Sequence, residues 1–440
     1  MSSAPRDAGG VIGVDFGTTN TVVATLDADG RAQLVRFATP TGPIEPFRSA
    51  LAFHEDPDDP RRRVVQAGPW AVEAFLEEPL ETRLIQSFKS HAASPLFQET
   101  TILGRRYAFE DLLSAFLLRL REHGGEALAP GLRCVIGRPV SFAGEMPDAS
   151  LALERYGRAF ARLEPAEVRY AYEPVAAALF FARGLDAAAT VMVGDFGGGT
   201  SDFSILRFEG GAGAMRARAL ANAGVGVAGD AFDYRIIDHL VSPALGKGSR
   251  YRAFDNVAPI PNRYFSAFAR WEQLALLRAS RDMRDIRGLA RTALEPAKLA
   301  ALVDILDHNH GYRLYQAVSA LKEALSARTS ASFVFETDRL SLSTPVARTD
   351  FEAWIAPELS AIEAAVDRCL AQAQVDPGEI DKVFLTGGSS FVPAVRAIFE
   401  RRFDASRIEG GSELVSIAAG LAYLGGGEDA TAGSVAEMIG

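Results

Sequence analysis

The apolar pattern starts with two short runs that end alike. Val11-Ile-Gly-Val-Asp-Phe-Gly closes on a small polar turn, Thr18-Thr-Asn20, and resumes as Thr21-Val-Val-Ala-Thr-Leu26. Val191-Met-Val-Gly-Asp-Phe-Gly does the same through Gly198-Gly-Thr200 into Ser201-Asp-Phe-Ser-Ile-Leu206. Each is a β-rich run, a tight turn and a second β-rich run, the pattern of a hairpin. Asp15, Phe16 and Gly17 match Asp195, Phe196 and Gly197 at a single offset, so the chain carries an internal repeat.

Between and after the hairpins the period changes. Leu112, Leu113, Phe116, Leu117 and Leu120 recur at helical spacing, which predicts a helix from Phe109 to His123. Arg31–Phe37, Arg133–Gly137 and Val168–Tyr172 are strand-like. Leu151–Leu163 and the Ala-rich Val175–Arg183 are predicted helices. In the second half, a Gly-rich stretch from Ala223 to Gly229 precedes a predicted helix Asp230–Leu240, and Tyr264–Ser326 is almost wholly helical in pattern. Ser332–Glu336 and Leu340–Leu342 are expected to pair as strands, and Phe351–Ala373 to be helical. Lys382–Thr386 is expected as a buried strand that leads through Gly387-Gly-Ser-Ser390 into a helix at Pro393–Arg402, with Leu414–Leu424 as a closing helix. These elements divide the chain into lobe I, residues 1–190 with an insert at about 46–110, and lobe II, residues 191–408 with a helical insert at about 236–318. Residues 409–425 return to lobe I, and 426–440 are a loose tail.

Composition narrows the function classes. The chain has 440 residues, 48% of them hydrophobic, which suits two soluble domains with substantial cores. A net charge of −10 argues against a basic nucleic-acid-binding surface. No apolar run approaches the ~20 residues that span a bilayer, and Met1–Gly10 lacks a signal-peptide core. Cys134 and Cys369 stand far apart and fit buried thiols in a reducing cytoplasm, not a disulfide framework. Only five of the 46 basic residues are lysines, so Lys89 and Lys322 stand out as compact, movable ammonium groups that Arg does not imitate.

Two hairpins that each present one Asp beside backbone N–H groups suit a phosphate chain and its Mg²⁺ held from both sides. A single Asp-Phe-Gly is more often only a turn; two copies with Glu173 favour the site. Gly387-Gly388 is compatible with a plain strand-to-helix turn or with N–H groups that face a phosphate or ribose. Gly224–Gly229 fits a loop or a phosphate contact. Trp271, Tyr312 and Tyr315 fall in helical patterns as packing residues.

Five segments in order carry a family resemblance: Gly13–Asn20, Tyr172–Ala178, Gly194–Asp202, Leu385–Pro393 and the helix after Gly411. Together they resemble the nucleotide-binding part of the heat shock protein 70 chaperones, in particular a divergent YegD-like branch. The resemblance covers roughly residues 10 to 425. It implies an α/β actin-like ATPase fold, two lobes with a duplicated sheet-and-helix core around a nucleotide cleft, ATP/ADP and Mg²⁺ as ligands, and protein clients or co-chaperones as partners in the cytoplasm. By the same resemblance Asp15, Asp195 and Asp202 organise Mg²⁺. Gly17, Thr18, Thr19 and Asn20 cradle phosphates from one side, and Gly197, Gly198, Gly199 and Thr200 from the other. Lys89 and Glu173 serve hydrolysis with Asp195 and Thr200. Gly229, Lys322, Ser326, Gly387, Gly388, Ser389 and Phe391 complete the nucleotide-binding set, with Lys322 and Ser326 on the helix that contacts the adenosine.

The chain departs from that family where the adenine would lie. Glu323 and Phe391 stand where two arginines are usual, and Ser319 where a Glu is usual. Past Gly425 no peptide-binding domain is expected. The expected function is ATP/Mg²⁺ binding with slow hydrolysis coupled to lobe closure in a chaperone-type protein. The alternatives are a nucleotide-gated interaction or regulatory module with negligible turnover, a filament-forming actin-like ATPase and, more distantly, a sugar kinase.

Overall fold

The computed structural model describes residues 10–40, 42–59, 61–144, 146–183, 187–209, 216–253, 255–269, 274, 277–278, 280–410 and 415–426. Trp271, Gly411, Leu414 and the tail from 427 lie outside these residues. By mutual contact the chain forms two compact units. One comprises residues 1–227, 361–390 and 397–440; the other comprises 228–360 and 391–396.

The first unit is built on two sheets of matching design. Strands β1 (Val11–Phe16), β2 (Asn20–Leu26), β3 (Ala32–Leu34), β4 (Arg133–Arg138) and β5 (Glu167–Tyr172) lie in the order β5-β4-β1-β2-β3. Strands β6 (Ala189–Phe196), β7 (Ser201–Glu209), β8 (Arg216–Val225), β9 (Lys382–Thr386) and β10 (Ile408–Gly410) lie in the order β10-β9-β6-β7-β8. In each sheet the first two strands pair antiparallel as a hairpin, while the first strand pairs parallel with the fourth. The repeat seen in two short motifs is therefore a repeat of whole sheets. β1 and β6 sit in the middle and are covered on both faces, so they are near-continuous apolar runs.

Helices fill the faces. Helix α1 (Phe109–Gly124) and α2 (Ala149–Phe160) pack on the first sheet through a core that includes Phe16, Phe47, Phe88, Phe116 and Tyr156. Helix α3 (Glu173–Ala182) and the closing helix Ser416–Gly426 share a second core with residues of both sheets, among them Val135, Val191, Val193 and Phe384. That shared core joins both sheets in one unit, whose limits fall at 227/228, 360/361, 390/391 and 396/397, whereas the repeat suggests lobe limits at 190 and 408. Small residues make the packing close. A Cβ on Gly420 would stand 1.8 Å from the Ala176 carbonyl oxygen, and one on Gly13 would stand 2.2 Å from that of Ala418.

The insert after residue 46 carries its own three-stranded sheet of Ala50–Glu55, Arg63–Ala67 and Arg83–Gln86, and a hairpin Thr100–Ile102/Arg105–Tyr107. The second unit is mainly helical. It includes helices Gly229–Ile236, Arg281–Ala290, Pro296–Asp307, Gly311–Ala327 and Arg348–Trp354, with the hairpins Arg250–Ala253/Asn256–Pro259 and Ser330–Glu336/Ser341–Ala347. The Gly-rich stretch from Ala223 is only partly loop, because Ala223, Gly224 and Val225 are paired residues at the end of β8.

Candidate functional site

The two repeated turns close the same way. Gly17 N–H donates to the Asn20 carbonyl at 3.0 Å, and Gly197 N–H donates to the Thr200 carbonyl at 3.0 Å. The turns also meet within the first unit: a Cβ added to Gly199 would lie 3.9 Å from Thr18 Oγ1. Ser49 anchors the first turn, its hydroxyl donating to the Gly17 carbonyl at 2.7 Å and its N–H to the Thr19 carbonyl at 2.9 Å. The strand β9 runs beside Asp195 and ends with Thr386 in register, just before Gly387. Gly387 has φ +85°, and a Cβ there would meet the Phe196 carbonyl at 2.1 Å. Glycine is thus required for the close backbone approach as well as the left-handed turn. Ser390 donates back to the Gly387 carbonyl from its hydroxyl, at 2.7 Å, and from its N–H. Gly387 and Gly388 therefore form the strand-to-helix turn.

Carboxylates collect beside the turns. Asp195 is directly opposite Asp202 in the β6–β7 register, so both side chains leave the same face. Asp202 Oδ1 accepts from Ser141 N–H at 3.1 Å, and Thr200 bonds its carboxylate through its side chain. Gly224 leaves room for Asp202, since a Cβ there would lie 2.4 Å from Oδ1. Glu173 is buried in the first turn of α3, where the helix dipole favours an anion. Lys89 Nζ meets Glu173 Oε1 at 2.8 Å, with both side chains under a tenth exposed. Phe88, just before Lys89, plugs the aromatic core with Phe16 and Phe116, and Lys89 Nζ itself lies 5.9 Å from the Phe16 ring centre.

This crowding shows in the acidities. Burial first, then the charge of Glu173, lifts the Asp15 carboxyl from 3.8 to about 7, with Lys89 pulling the other way. Asp15 keeps some accessible surface, but protein atoms surround it on most sides. Asp195 is pushed well above the carboxylate range by burial, then by Glu173, Asp15 and Asp202. Asp202 rises to about 7 through burial and Glu173, against the hydrogen bonds from Thr200 and Ser141. For Lys89, burial pulls down, but Glu173, Tyr156 and Asp15 together outweigh it and hold the ammonium charged. Asp15, Asp195, Asp202 and Glu173 thus share one electrostatic neighbourhood with one lysine.

The second unit holds the nucleoside candidates. Lys322 Nζ lies 2.7 Å from Asp233 Oδ1 and donates to the Gly229 carbonyl at 3.4 Å, so it is no loosely solvated lysine. Ser326, one turn on, donates to the Lys322 carbonyl at 2.9 Å. Glu323 keeps accessible surface, and Phe391 presents 59% of its own. Tyr312 is buried, and the Tyr315 hydroxyl donates to the Phe268 carbonyl, so both pack as expected.

The family model described as Hsp70 protein matches residues 87–249 and 289–427, more than half of the chain. The chain belongs to the Hsp70 family. The Chaperone protein HscA homolog of Azotobacter vinelandii (strain DJ) is 26% identical over 428 residues, covering 92% of this chain and 55% of that protein. The chain thus spans about half the length of the curated relative it matches. The actin-like ATPase fold, with its duplicated core, is the fold of this Hsp70 family member. The family match begins after the first hairpin, so Asp15 and its turn stand on the internal repeat.

Several supports of this candidate site lie outside the motifs. Ser49, Ser141, Tyr156 and Gly224 hold or border the named residues, yet none falls in a repeated motif. Only Gly224 carried a signal, as part of a Gly-rich stretch. Ser49 and Ser141 act through contacts 32 and 61 residues away in sequence, which no local pattern reports.

Proposed function

We propose that this Hsp70 family member binds ATP with Mg²⁺ and hydrolyses it slowly, with the nucleotide state setting the arrangement of its lobes and, through it, the grip on protein clients or co-chaperones. One observation carries the reading: two matched turns meet at Thr18 and Gly199 beside four carboxyls, three of them buried, and one ammonium. Buried carboxyls whose pKa values are pushed up, as those of Asp15, Asp195 and Asp202 are, gain from a nearby cation, and hard oxygen donors suit Mg²⁺. Asp15, Asp195 and Asp202 would hold it, directly or through water. When bound, the ion supplies charge neutralisation on phosphate oxygens.

The chain's own groups do the rest. The N–H groups of the two turns other than those of Gly17 and Gly197, which close the turns, would serve the phosphates, and Lys89 is held charged by Glu173 for the charge that develops on transfer. Glu173 also offers a carboxylate to an attacking water. Lys322, braced by Asp233, and Ser326 serve the nucleoside, with Phe391 as an exposed π-face in place of a cation. Among the described residues no helix is long and apolar enough to cross a membrane.

Phosphate release from saturating ATP, followed together with light scattering, tests the reading. Slow, Mg²⁺-dependent release without polymer growth is expected. Bound ATP with no release would replace hydrolysis by a nucleotide-gated module, and nucleotide-dependent scattering would point to a filament.

A further inference from the structure

We propose a second cation site, for Zn²⁺ or a similar first-row transition ion, formed by Asp304, His308 and His310 in the second unit. The helix Pro296–Asp307 places Asp304 and His308 four residues apart on one face, and His308 is its C-terminal cap. Asn309 then adopts φ +58°, the left-handed turn that Asn tolerates, and brings His310 back to the same corner before the helix Gly311–Ala327 begins. One ligand atom from each of the three residues lies within 4.8 Å of the others.

Two observations separate this corner from a chance grouping. Asp304 is 4% exposed, and its Oδ2 is buried without a hydrogen-bond partner, while its Oδ1 is held by His308 Nδ1 at 2.9 Å. A buried carboxylate oxygen left unpaired is costly, and a metal ion would satisfy it. Two of the chain's six histidines meet beside this carboxylate, their rings 5.8 Å apart. Two imidazoles and one carboxylate favour zinc-like ions over Mg²⁺. A tetrahedral zinc at about 2.0–2.1 Å from each ligand puts donor atoms about 3.3 Å apart, so donor pairs now up to 4.8 Å apart close in by up to about 1.5 Å on binding. The His308 side chain is more than half exposed and can turn. The nearby Arg313 guanidinium is engaged with the Glu336 carbonyl at 3.3 Å. The bound ion would staple one helix end to the start of the helix that carries Lys322 and Ser326.

The test uses the full chain without a histidine tag, stripped of metal, and titrated with Co²⁺ and Zn²⁺ in excess Mg²⁺. Cys134 and Cys369 are buried and do not compete. One equivalent of Co²⁺ should bind with the visible bands of a tetrahedral site, displaced by Zn²⁺. His308→Gln and His310→Gln, at positions with accessible surface, should each weaken binding at least about tenfold, since even supporting residues of metal sites cost 10–100-fold. Zinc should raise the unfolding midpoint of the parent and leave the double variant unmoved. Absence of saturable binding, or equal affinity in the double variant, would overturn the proposal; loss of the signal in Asp195→Asn would assign it to the nucleotide site and overturn it equally.

Discussion

Replacing Asp202 by Asn removes one buried charge and keeps the shape. The Asn oxygen still accepts from Ser141 N–H. Asp202 rises from 3.8 to about 7 because of burial and then Glu173. A raised value means that the folded state keeps its proton where the unfolded chain has lost it. Stability of the cation-free protein therefore falls as pH climbs from about 4 to about 7, and the penalty is full above that. Each tenfold weakening of the acid is worth about 1.36 kcal/mol, so the ceiling is roughly 4 kcal/mol for this group taken alone. Between about pH 5 and about pH 8 the penalty grows by roughly 2–3 kcal/mol. Asn does not titrate, so in EDTA the advantage of Asp202→Asn over the parent should widen across that interval, on the order of 5 °C in unfolding midpoint. With Mg²⁺ and ADP the order should reverse, because the parent carboxylate then has its cation. An advantage that shrinks as pH rises, or that persists with Mg²⁺ and ADP, would refute the reasoning.

Three further outcomes follow from particular contacts. Lys89→Ala should lower phosphate release with ADP affinity little changed, and it should cost about 3–5 kcal/mol in denaturant unfolding, because Glu173 is left buried and unpaired; adding Glu173→Gln should restore part of that stability. Gly420→Ala should destabilise by about 1–3 kcal/mol or more, since its Cβ would meet the Ala176 carbonyl at 1.8 Å, whereas Gly288→Ala, in a helix with open space, should be neutral or stabilising. Glu323→Arg with Phe391→Arg changes two accessible positions and should tighten ATP up to about tenfold in a binding titration; flat or weaker binding would show a differently built nucleoside pocket.

The sequence made the duplicated hairpins legible because Asp-Phe-Gly ends a buried strand twice at one offset, and a strand covered on both faces is a plain apolar run. It made Phe109–His123 legible through helical spacing of its leucines, and the helix runs Phe109–Gly124. It did not reveal that Ala223–Val225 finish a strand, because small residues there report room for Asp202 and Ser141, which lie far off in sequence. The pairing of Lys89 with Glu173 was equally invisible. Each was a candidate alone, but the 84 residues between them carry no signal of contact. The shared core around α3 and the closing helix depends on Ala and Gly, whose small side chains give a weak apolar pattern although the packing they permit is tight. The Asp304 corner has no sequence signature because its third ligand is brought in by one left-handed residue, Asn309, and not by a helical period.

Calorimetric titration of the full chain with ADP, with and without Mg²⁺, for the parent and for Asp195→Asn, tests the central claim most directly. Asp195 sits opposite Asp202 and shares its field with Asp15 and Glu173. The account predicts one binding site whose affinity rises with Mg²⁺ in the parent and is insensitive to Mg²⁺ in the variant. Binding that ignores Mg²⁺ in both proteins, or an Mg²⁺ effect that survives in Asp195→Asn, would contradict it.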